Sequence, residues 1–350
     1  MISIKNFDKE FELNSYVNLF CNAFPEVGKI TSEEYNWLFH SYPNVNRCSF
    51  EYGAYINNQL VGYYAAIPYL YKIGKEETNV GMVCGVMTHS DYRGKGIFTK
   101  LGNHATNDLS LFVPFTMGYP IRKSVIPGHI KVGWKIAFKL PLYAKILKSD
   151  SFLKQTKFRF LSPIINIFLS LYDTLTNLNS KKGYSVEICD SIDLVDGLEE
   201  FVADWRNTVI NRLEKTTDFL KWRYAKPNAK YKFFAIRKNK KLVSLAACRK
   251  AEKLGVTTLC IIDLMCVNDK ESLDVLYNSI KKYSKENGIE MIMTMMSSVS
   301  ARKYRLFRNG FISTPYNFKL IIKNLTHKFQ DKTLFDENNW HLMWVDSDDL

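Results

Sequence analysis

The sequence predicts a mixed α/β protein of the α+β kind, built from two similar domains in tandem. Helical and strand-like patterns alternate along the chain, and several neighbouring strands are joined by short turns into hairpins. The same order of elements occurs twice, and 350 residues are too many for one ordinary core. Each domain is therefore expected to be a mixed, mostly antiparallel sheet flanked by helices.

The first domain is predicted to span residues 1–145. Its apolar residues follow a helical period in two segments, and in the second they recur every four residues along one face. Asn57-Asn58 joins two strand-like runs as a turn dipeptide, and a further strand ends just before a glycine-rich loop. The predicted elements are helix 13–24, strands 52–56, 60–73 and 81–88, helix 96–109 and strand 111–119.

The second domain is predicted over residues 186–350, including a C-terminal tail. Its order repeats that of the first: hairpin, strand, helix, strand, a short helix ending in glycine and an aromatic residue, and a last strand. Gly133-Trp134 in the first half corresponds to Gly310-Phe311 in the second. The expected strands are 232–236, 241–248, 257–267, 289–296 and 317–322, with Asn268 and Glu271 as a capping box before the central helix.

Residues 146–185 are predicted to be a helical linker between the domains. A mostly apolar stretch, 158–175, follows three basic residues, and Pro163 suits the first turn of a helix that begins at Ser162. Two interpretations stay open. The helix packs between the domains, or it is amphipathic and residues 154–175 make peripheral contact with an anionic membrane.

Composition and charge restrict the class of protein. With 46% hydrophobic and 24% charged residues the chain is a folded one, and no run of about 18 apolar residues predicts a membrane span. The N-terminus lacks a signal-peptide pattern, and seven cysteines contain no C-x-x-C pair, which indicates a reduced, cytoplasmic protein without a metal site. The formal net charge of +13 favours anionic partners.

The loop Arg93-Gly94-Lys95-Gly96, between a strand and a helix, is the most informative segment. Glycines allow backbone N–H groups to approach an anion closely, and the helix start adds unpaired donors and the positive end of its dipole. With its two basic side chains, this pattern predicts a pyrophosphate cradle. It is neither a P-loop, which needs G-x-x-x-x-G-K-[ST], nor the dinucleotide fingerprint G-x-G-x-x-G.

Tyr92-Arg93-Gly94-Lys95-Gly96-Ile97 resembles the phosphate-binding motif of the GNAT superfamily of acyl-CoA-dependent N-acyltransferases, usually written R/Q-x-x-G-x-G/A. The resemblance covers residues 1 to about 145 and implies that the strand before the loop splays from a second strand at 112–118. The second half has acidic residues and no glycine in its loop at 268–272, so it is expected to be non-catalytic. The residues that the resemblance assigns to acetyl-CoA are Val86, Met87, Thr88, Arg93, Gly94, Lys95, Gly96, Ile97 and Phe98.

Two further segments, 118–134 and 340–348, resemble tandem-GNAT proteins of bacterial surface-polysaccharide gene clusters. This resemblance implies two GNAT-like domains in tandem. An amino sugar is the acceptor that this resemblance favours. The basic segment 226–253, with ten lysines and arginines against one glutamate, is either a solvated hairpin or a surface that binds an anionic partner, such as a nucleotide-linked sugar acceptor or an anionic surface.

Acyl transfer to an amine needs a polarised thioester carbonyl, a deprotonated amine and an acid for the leaving thiolate. The GNAT resemblance implies a tyrosine acid four residues before the Gly-aromatic pair, but here that position is His129. His129 can be this acid, titrating near the ordinary value of about 6.5, or an ordinary helix residue. Tyr119 is an alternative, His89 at the strand end is a candidate base, and Glu51 could act through a water.

The leading hypothesis is an N-acetyltransferase of the EC 2.3.1 class, in which the amine of a small, potentially anionic acceptor attacks the thioester directly. Two other functions stay open. An aminoacyl-tRNA-dependent peptidoglycan ligase also stacks two such folds and would suit the positive charge, but it does not need an intact CoA loop. A non-catalytic acyl-CoA-binding protein is the third. No nucleic acid and no metal are expected as partners.

Overall fold

The computed structural model describes residues 2–44, 46–154, 159–176 and 183–347. These residues form two compact units, each assembled from separated parts of the chain. Unit 1 combines the described residues of 1–138, 225–227 and 319–339, and unit 2 combines those of 139–224, 228–318 and 340–350.

Unit 1 begins with a short strand and two helices, and its sheet then follows as a meander. The elements up to residue 131 are β1 (Ser3–Asn6), α1 (Leu13–Ala23), α2 (Ser32–His40), β2 (Phe50–Ile56), β3 (Gln59–Ile73), β4 (Glu76–Thr88), α3 (Ile97–Leu109), β5 (Phe115–Gly118) and α4 (Ile126–Lys131).

The sheet of unit 1 has antiparallel neighbours from β1 through β4, and β5 then runs parallel to β4. Asn57 and Asn58 make the β2–β3 turn with positive φ angles of 48° and 61°, as the tight hairpin turn of the type I′ class requires. The outer edge of β5 pairs antiparallel with residues 321–324 of a strand from near the end of the chain.

The two faces of this sheet are covered by different helices. On one face α3 contributes the stripe Ile97, Leu101 and Ala105 to a core shared with β2 and β3. On the other face the rings of Tyr16 and Tyr63 lie 4.8 Å apart, centroid to centroid, where α1 and α2 cover the sheet. Four tyrosines of β3 are core residues, exposed by 2% or less: Tyr63, Tyr64, Tyr69 and Tyr71.

Unit 2 is built from the rest of the chain. Two long strands each contribute residues to both units. β6 (Lys135–Ile146) belongs to unit 2 from residue 139 onward, and β13 (Ile312–Asn324) belongs to unit 1 from residue 319 onward. The remaining elements are α5 (Asp150–Leu153), α6 (Ser162–Thr176), β7 (Tyr184–Cys189), α7 (Leu198–Arg206), β8 (Asn211–Leu213), α8 (Thr217–Tyr224), β9 (Tyr231–Lys238), β10 (Lys241–Lys253), β11 (Val256–Cys266), α9 (Lys270–Glu286), β12 (Met291–Met295), α10 (Ser298–Lys303), α11 (Asp331–Phe335), which lies in unit 1, and β14 (Trp340–His341).

The sheet of unit 2 repeats the order found in unit 1. Strands β7, β9, β10 and β11 are antiparallel neighbours, α9 follows β11, and β12 returns parallel to β11. The outer edge of β12 pairs antiparallel with residues 142–146 of β6. The predicted repeat of one α/β order, with mixed and mostly antiparallel sheets flanked by helices, is therefore confirmed.

The predicted division at residues 145 and 186 differs from the two units. Each unit takes its final strand from the other half of the sequence. A prediction that divides the chain into consecutive domains cannot detect this exchange. The described part of the expected linker 146–185 belongs to unit 2. Its helix begins at Ser162 as predicted, whereas residues 155–158 and 177–182 lie outside the described residues.

Two smaller predictions are wrong in detail. The strand expected at 111–119 is confined to β5, because Leu111 and Phe112 follow the end of α3 and are 76% and 52% exposed. The cap of α9 is Asp269 rather than Asn268, whose φ is +46°.

We expect Ile321→Ala to destabilise unit 1 by about 2–5 kcal/mol, the usual cost of truncating a buried aliphatic side chain. Ile321 is 1% exposed and belongs to the core beneath α3, although about 200 residues separate it from β5. Ile312→Ala, on the same strand but with Ile312 51% exposed, is the control and should cost about 0.5 kcal/mol or less. Urea unfolding compares them, and equally small effects would contradict the exchange of the strand.

Candidate active site

Strands β4 and β5 separate after a short parallel contact. They pair at Gly81 with Thr116 and at Met82 with Met117. β4 then continues for six residues to Thr88, whereas β5 ends one residue later at Gly118. The backbone of the last part of β4 therefore faces a gap on its β5 side, as the GNAT resemblance implies.

A β-bulge lies in this free part of β4. Tyr63 pairs with Met87 and Ala65 with Cys84, so β4 carries one residue more than β3 across this interval. Gly85 takes it up with a φ of +61°, which glycine adopts without steric cost. A Cβ on Gly85 would lie 3.4 Å from the Tyr63 ring, so aromatic packing supports the bulge from behind.

The glycine-rich loop follows directly and leaves the start of α3 open. Gly94 and Gly96 have φ angles of +76° and +75°, and no atom lies within 4 Å of a Cβ built on either. Gly96 is the N-cap of α3 and offers no side chain to its amides. Residues 93–96 are exposed, so their backbone is accessible to an anion.

The two basic side chains of the loop have further contacts. The Arg93 guanidinium donates to the carbonyl oxygen of Ala23 at 3.2 Å and to that of Thr88 at 3.4 Å. It thereby holds the end of α1 against the loop. The Lys95 ammonium lies 4.8 Å from the centre of the Tyr92 ring. Both residues remain exposed, so the loop presents positive charge beside an open helix start.

The corresponding helix start in unit 2 is closed by the protein itself. One carboxylate oxygen of Asp269 accepts hydrogen bonds from the backbone N–H groups of Glu271 and Ser272, both at 3.1 Å. The Tyr184 hydroxyl donates to the same carboxylate at 2.8 Å. An aspartate therefore takes the position that a phosphate would need, and its charge would repel one.

His129 is buried in α4 between two aromatic rings. Its ring centre lies 5.0 Å from that of Phe98, in the first turn of α3, and 5.0 Å from that of Trp134. Gly128 permits this approach, because a Cβ there would lie 2.8 Å from the Phe98 ring. Its Nδ1 atom has no hydrogen-bond partner among the described residues.

The environment of His129 keeps its imidazole neutral. Burial lowers the pKa of His129 from 6.5 to about 4, because the protonated ring would lose its hydration. The expectation that this group titrates near 6.5 is therefore wrong. At neutral pH His129 can only donate from a neutral ring nitrogen.

The other two candidates have different surroundings. The Nδ1 atom of His89 accepts a hydrogen bond from the backbone N–H of Asp91 at 3.3 Å and caps the short turn at Ser90–Tyr92. Tyr119 directly follows β5 and is buried. The structure places His89 in the loop and His129 against α3, and it gives each of these two side chains a packing or capping role.

Glu51 lies on the α1/α2 face and joins residues that the sequence patterns did not single out. Its carboxylate accepts hydrogen bonds from the Tyr63 hydroxyl at 2.6 Å, the Ser49 hydroxyl at 2.7 Å and the Tyr35 hydroxyl. Glu51 also lines a cavity of about 640 Å³ at the start of β2. Tyr35 lies on α2. The Thr31–Glu34 capping box at the start of this helix is a sequence pattern that predicts a helix.

The burial of His129 predicts a loss of stability in acid. The unfolded chain takes up a proton on His129 near pH 6.5, whereas the folded chain does so only near pH 4. Stability from this residue is therefore complete at pH 7 and falls as pH decreases, by about 2 kcal/mol at pH 5. Urea unfolding should show this part of the loss in the wild type and not in His129→Gln, whereas the buried His341, whose pKa burial also lowers, contributes to the pH dependence of both.

His104→Gln is the control for this measurement. His104 is exposed on α3, so its replacement removes an imidazole without touching the enclosure of His129, and the loss predicted from His129 should persist. If His129→Gln loses as much stability between pH 7 and pH 5 as the wild type does, the burial of a neutral imidazole at this position is contradicted.

Comparison with known proteins places this site in a recognised domain. Residues 6–137 match the family model described as an acetyltransferase (GNAT) domain. These residues include the free end of β4, the glycine-rich loop, α3 and α4. No curated protein matches the chain.

Solved structures share the fold at low sequence identity. A GCN5-related N-acetyltransferase from Anabaena variabilis is 12% identical with a TM-score of 0.66, and a probable N-acyltransferase from Enterococcus faecalis is 13% identical with a TM-score of 0.67. Each match covers 93% of this chain and 73% of the other. A GCN5-related N-acetyltransferase from Kribbella flavida has a TM-score of 0.59 at 9% identity, covering 93% of this chain and 71% of its own. Residues 6–137 are thus similar to a GNAT acetyltransferase domain, and the chain has a fold that GCN5-related N-acetyltransferases share.

Proposed function

We propose that this protein is an N-acyltransferase that takes its acyl group from acetyl-CoA and transfers it to the amine of a small acceptor. The observation that carries the proposal is the open glycine loop at the start of α3, set at the free end of β4. The same loop lies within the residues matched by the acetyltransferase domain model. A phosphate-bearing donor fits it, because the glycines leave space and no side chain caps the helix.

Residues of β4 and the loop divide the binding of the donor between them. The backbone of Val86, Met87 and Thr88 faces the gap beside β5 and can pair with an extended amide-bearing arm. The backbone amides of residues 93–98 would hold the pyrophosphate, with Arg93 and Lys95 adding positive charge. The side chains of Ile97 and Phe98 pack against the core beneath α3 and anchor its first turn, so we assign these two residues to the donor through their backbone amides.

The chemistry also assigns roles to neighbouring groups. When bound, acetyl-CoA supplies an acyl group activated as a thioester. A backbone N–H near Met87 or Thr88 would stabilise negative charge on the carbonyl oxygen, and the neutral His129 would donate a hydrogen bond to the departing sulfur. As the amine forms the new C–N bond and the C–S bond breaks, the amine proton would pass through solvent to the thiolate. Glu51 accepts from three hydroxyl groups, so we assign it the positioning of Tyr63 behind Gly85.

We propose an amino sugar or a nucleotide-linked sugar as the acceptor, as the surface-polysaccharide resemblance of segments 118–134 and 340–348 and the basic segment 226–253 suggest.

Fewer cations of the basic segment 226–253 are available to bind an anion than its ten lysines and arginines suggest. Several of these cations in unit 2 pair with carboxylates: Lys232 with Asp190, Arg237 with Glu187, Lys238 with Asp269, and Lys241 with Glu200 and Asp204. This pairing weakens the case for a tRNA-dependent ligase.

Gly96→Glu should lower the affinity for acetyl-CoA by about 100-fold or more, because a carboxylate would stand among the amides proposed for the pyrophosphate. Gly288→Glu is the matched control. Gly288 has a φ of +65° and equally open surroundings in unit 2, so the backbone cost is similar but binding should persist. Calorimetry should give one site per chain for the wild type, since Asp269 closes the second helix start. Unchanged affinity in Gly96→Glu would refute the site.

His129→Leu should lower kcat by about 10²–10³-fold with little change in acetyl-CoA affinity, the range for a lost hydrogen-bond donor to charge that develops in the transition state. The wild-type rate should show no titration from this residue between pH 5.5 and 8, because its pKa is about 4. Intact acetyl-CoA binding by calorimetry shows that the variant is folded. Tyr119→Phe is the comparison variant, and full activity in His129→Leu with loss in Tyr119→Phe would transfer the role to Tyr119.

A further inference from the structure

Helix α6 of unit 2 exposes apolar side chains along one face. Four lie on the helix and one in the turn before it, and their spacing of four, three, one and three residues keeps them on one side. Each is more than half exposed: Phe160 at 72%, Ile164 at 52%, Ile167 at 61%, Phe168 at 65% and Leu171 at 56%. A contiguous apolar stripe of this kind on a surface is typical of an interaction site.

The opposite face of α6 is tied down by polar contacts. The Ser162 hydroxyl donates to the Asp150 carboxylate at 2.6 Å. The Asn166 side-chain oxygen accepts from the backbone N–H of Ser149 at 2.8 Å and from its hydroxyl at 2.9 Å. Ser149 and Ser162 are buried. Rotating the helix to bury its apolar stripe would break these bonds, so the stripe is held outward.

The sequence around α6 is positively charged. Residues 148–182 contain six lysines and arginines against two aspartates, a difference of +4. The basic residues flank the apolar segment on both sides: Lys148, Lys154, Lys157, Arg159, Lys181 and Lys182. A second copy of the chain would bring like charges together at this stripe, whereas an anionic lipid surface would attract them.

We propose that α6 docks unit 2 on an anionic lipid bilayer, with the apolar stripe at the boundary between headgroups and acyl chains. No helix among the described residues has both the length and the apolar character needed to cross a membrane. The 15 residues of α6 span about 22 Å, which suits a helix lying in the plane of the interface. This docking does not depend on the proposed transferase activity.

Sedimentation of the full-length protein with lipid vesicles tests the proposal. Vesicles of phosphatidylcholine with 30% phosphatidylglycerol should bind the wild type at least about tenfold more strongly than pure phosphatidylcholine, and 0.5 M salt should weaken the binding. The double variant Ile167→Ser with Phe168→Ser should lose at least about tenfold in affinity for the anionic vesicles. Both positions are exposed, so folding should persist, which circular dichroism checks.

The matched control is Leu194→Ser with Ile210→Ser. These two residues are 58% and 53% exposed in unit 2 but lie off α6, so vesicle binding should remain that of the wild type. Equal binding of both vesicle types, or equal binding by the α6 variant and the wild type, would overturn the proposal. A dimer in solution that dissociates in the α6 variant, without vesicle binding by the wild type, would assign the stripe to a second copy and also overturn it.

Discussion

The site in unit 1 depends on the short parallel contact between β4 and β5. Because the two strands pair at only two positions, the rest of β4 keeps backbone donors and acceptors that need partners elsewhere. On its other side this part of β4 pairs with β3, and the bulge at Gly85 rests on the aromatic rings behind it. The glycine-rich loop and the start of α3 follow directly after this free end.

The two units show how few residues separate an anion site from a closed helix start. Both have a strand, a short loop and a helix in the same topological place. In unit 1 the loop supplies Gly94 and Gly96, whose backbone stays accessible. In unit 2 it supplies Asp269, which satisfies the helix amides itself. The difference is one of local capping chemistry, so the same strand order leaves the helix start open in one unit and closed in the other.

Local features were predictable from the sequence, and long-range ones were not. The Asn57-Asn58 turn, the strand before the loop and the helix after Gly96 follow from residues close together in the chain. The pairing of β5 with residues 321–324 depends on partners about 200 residues away, and no local pattern encodes it. The neutral state of His129 could not be predicted from the sequence either, because it arises from burial between Phe98 and Trp134 in the folded chain.

The exchange of final strands has a consequence for synthesis on the ribosome. When β5 has emerged, the strand that covers its outer edge is still about 200 residues from being translated, which at ~5–20 residues per second is a delay of roughly 10–40 s. An uncovered strand edge is a template for pairing with other nascent chains. Unit 1 therefore stays incomplete during most of translation, and its yield in a cell should depend on holdase chaperones that shield this edge until the last strand arrives.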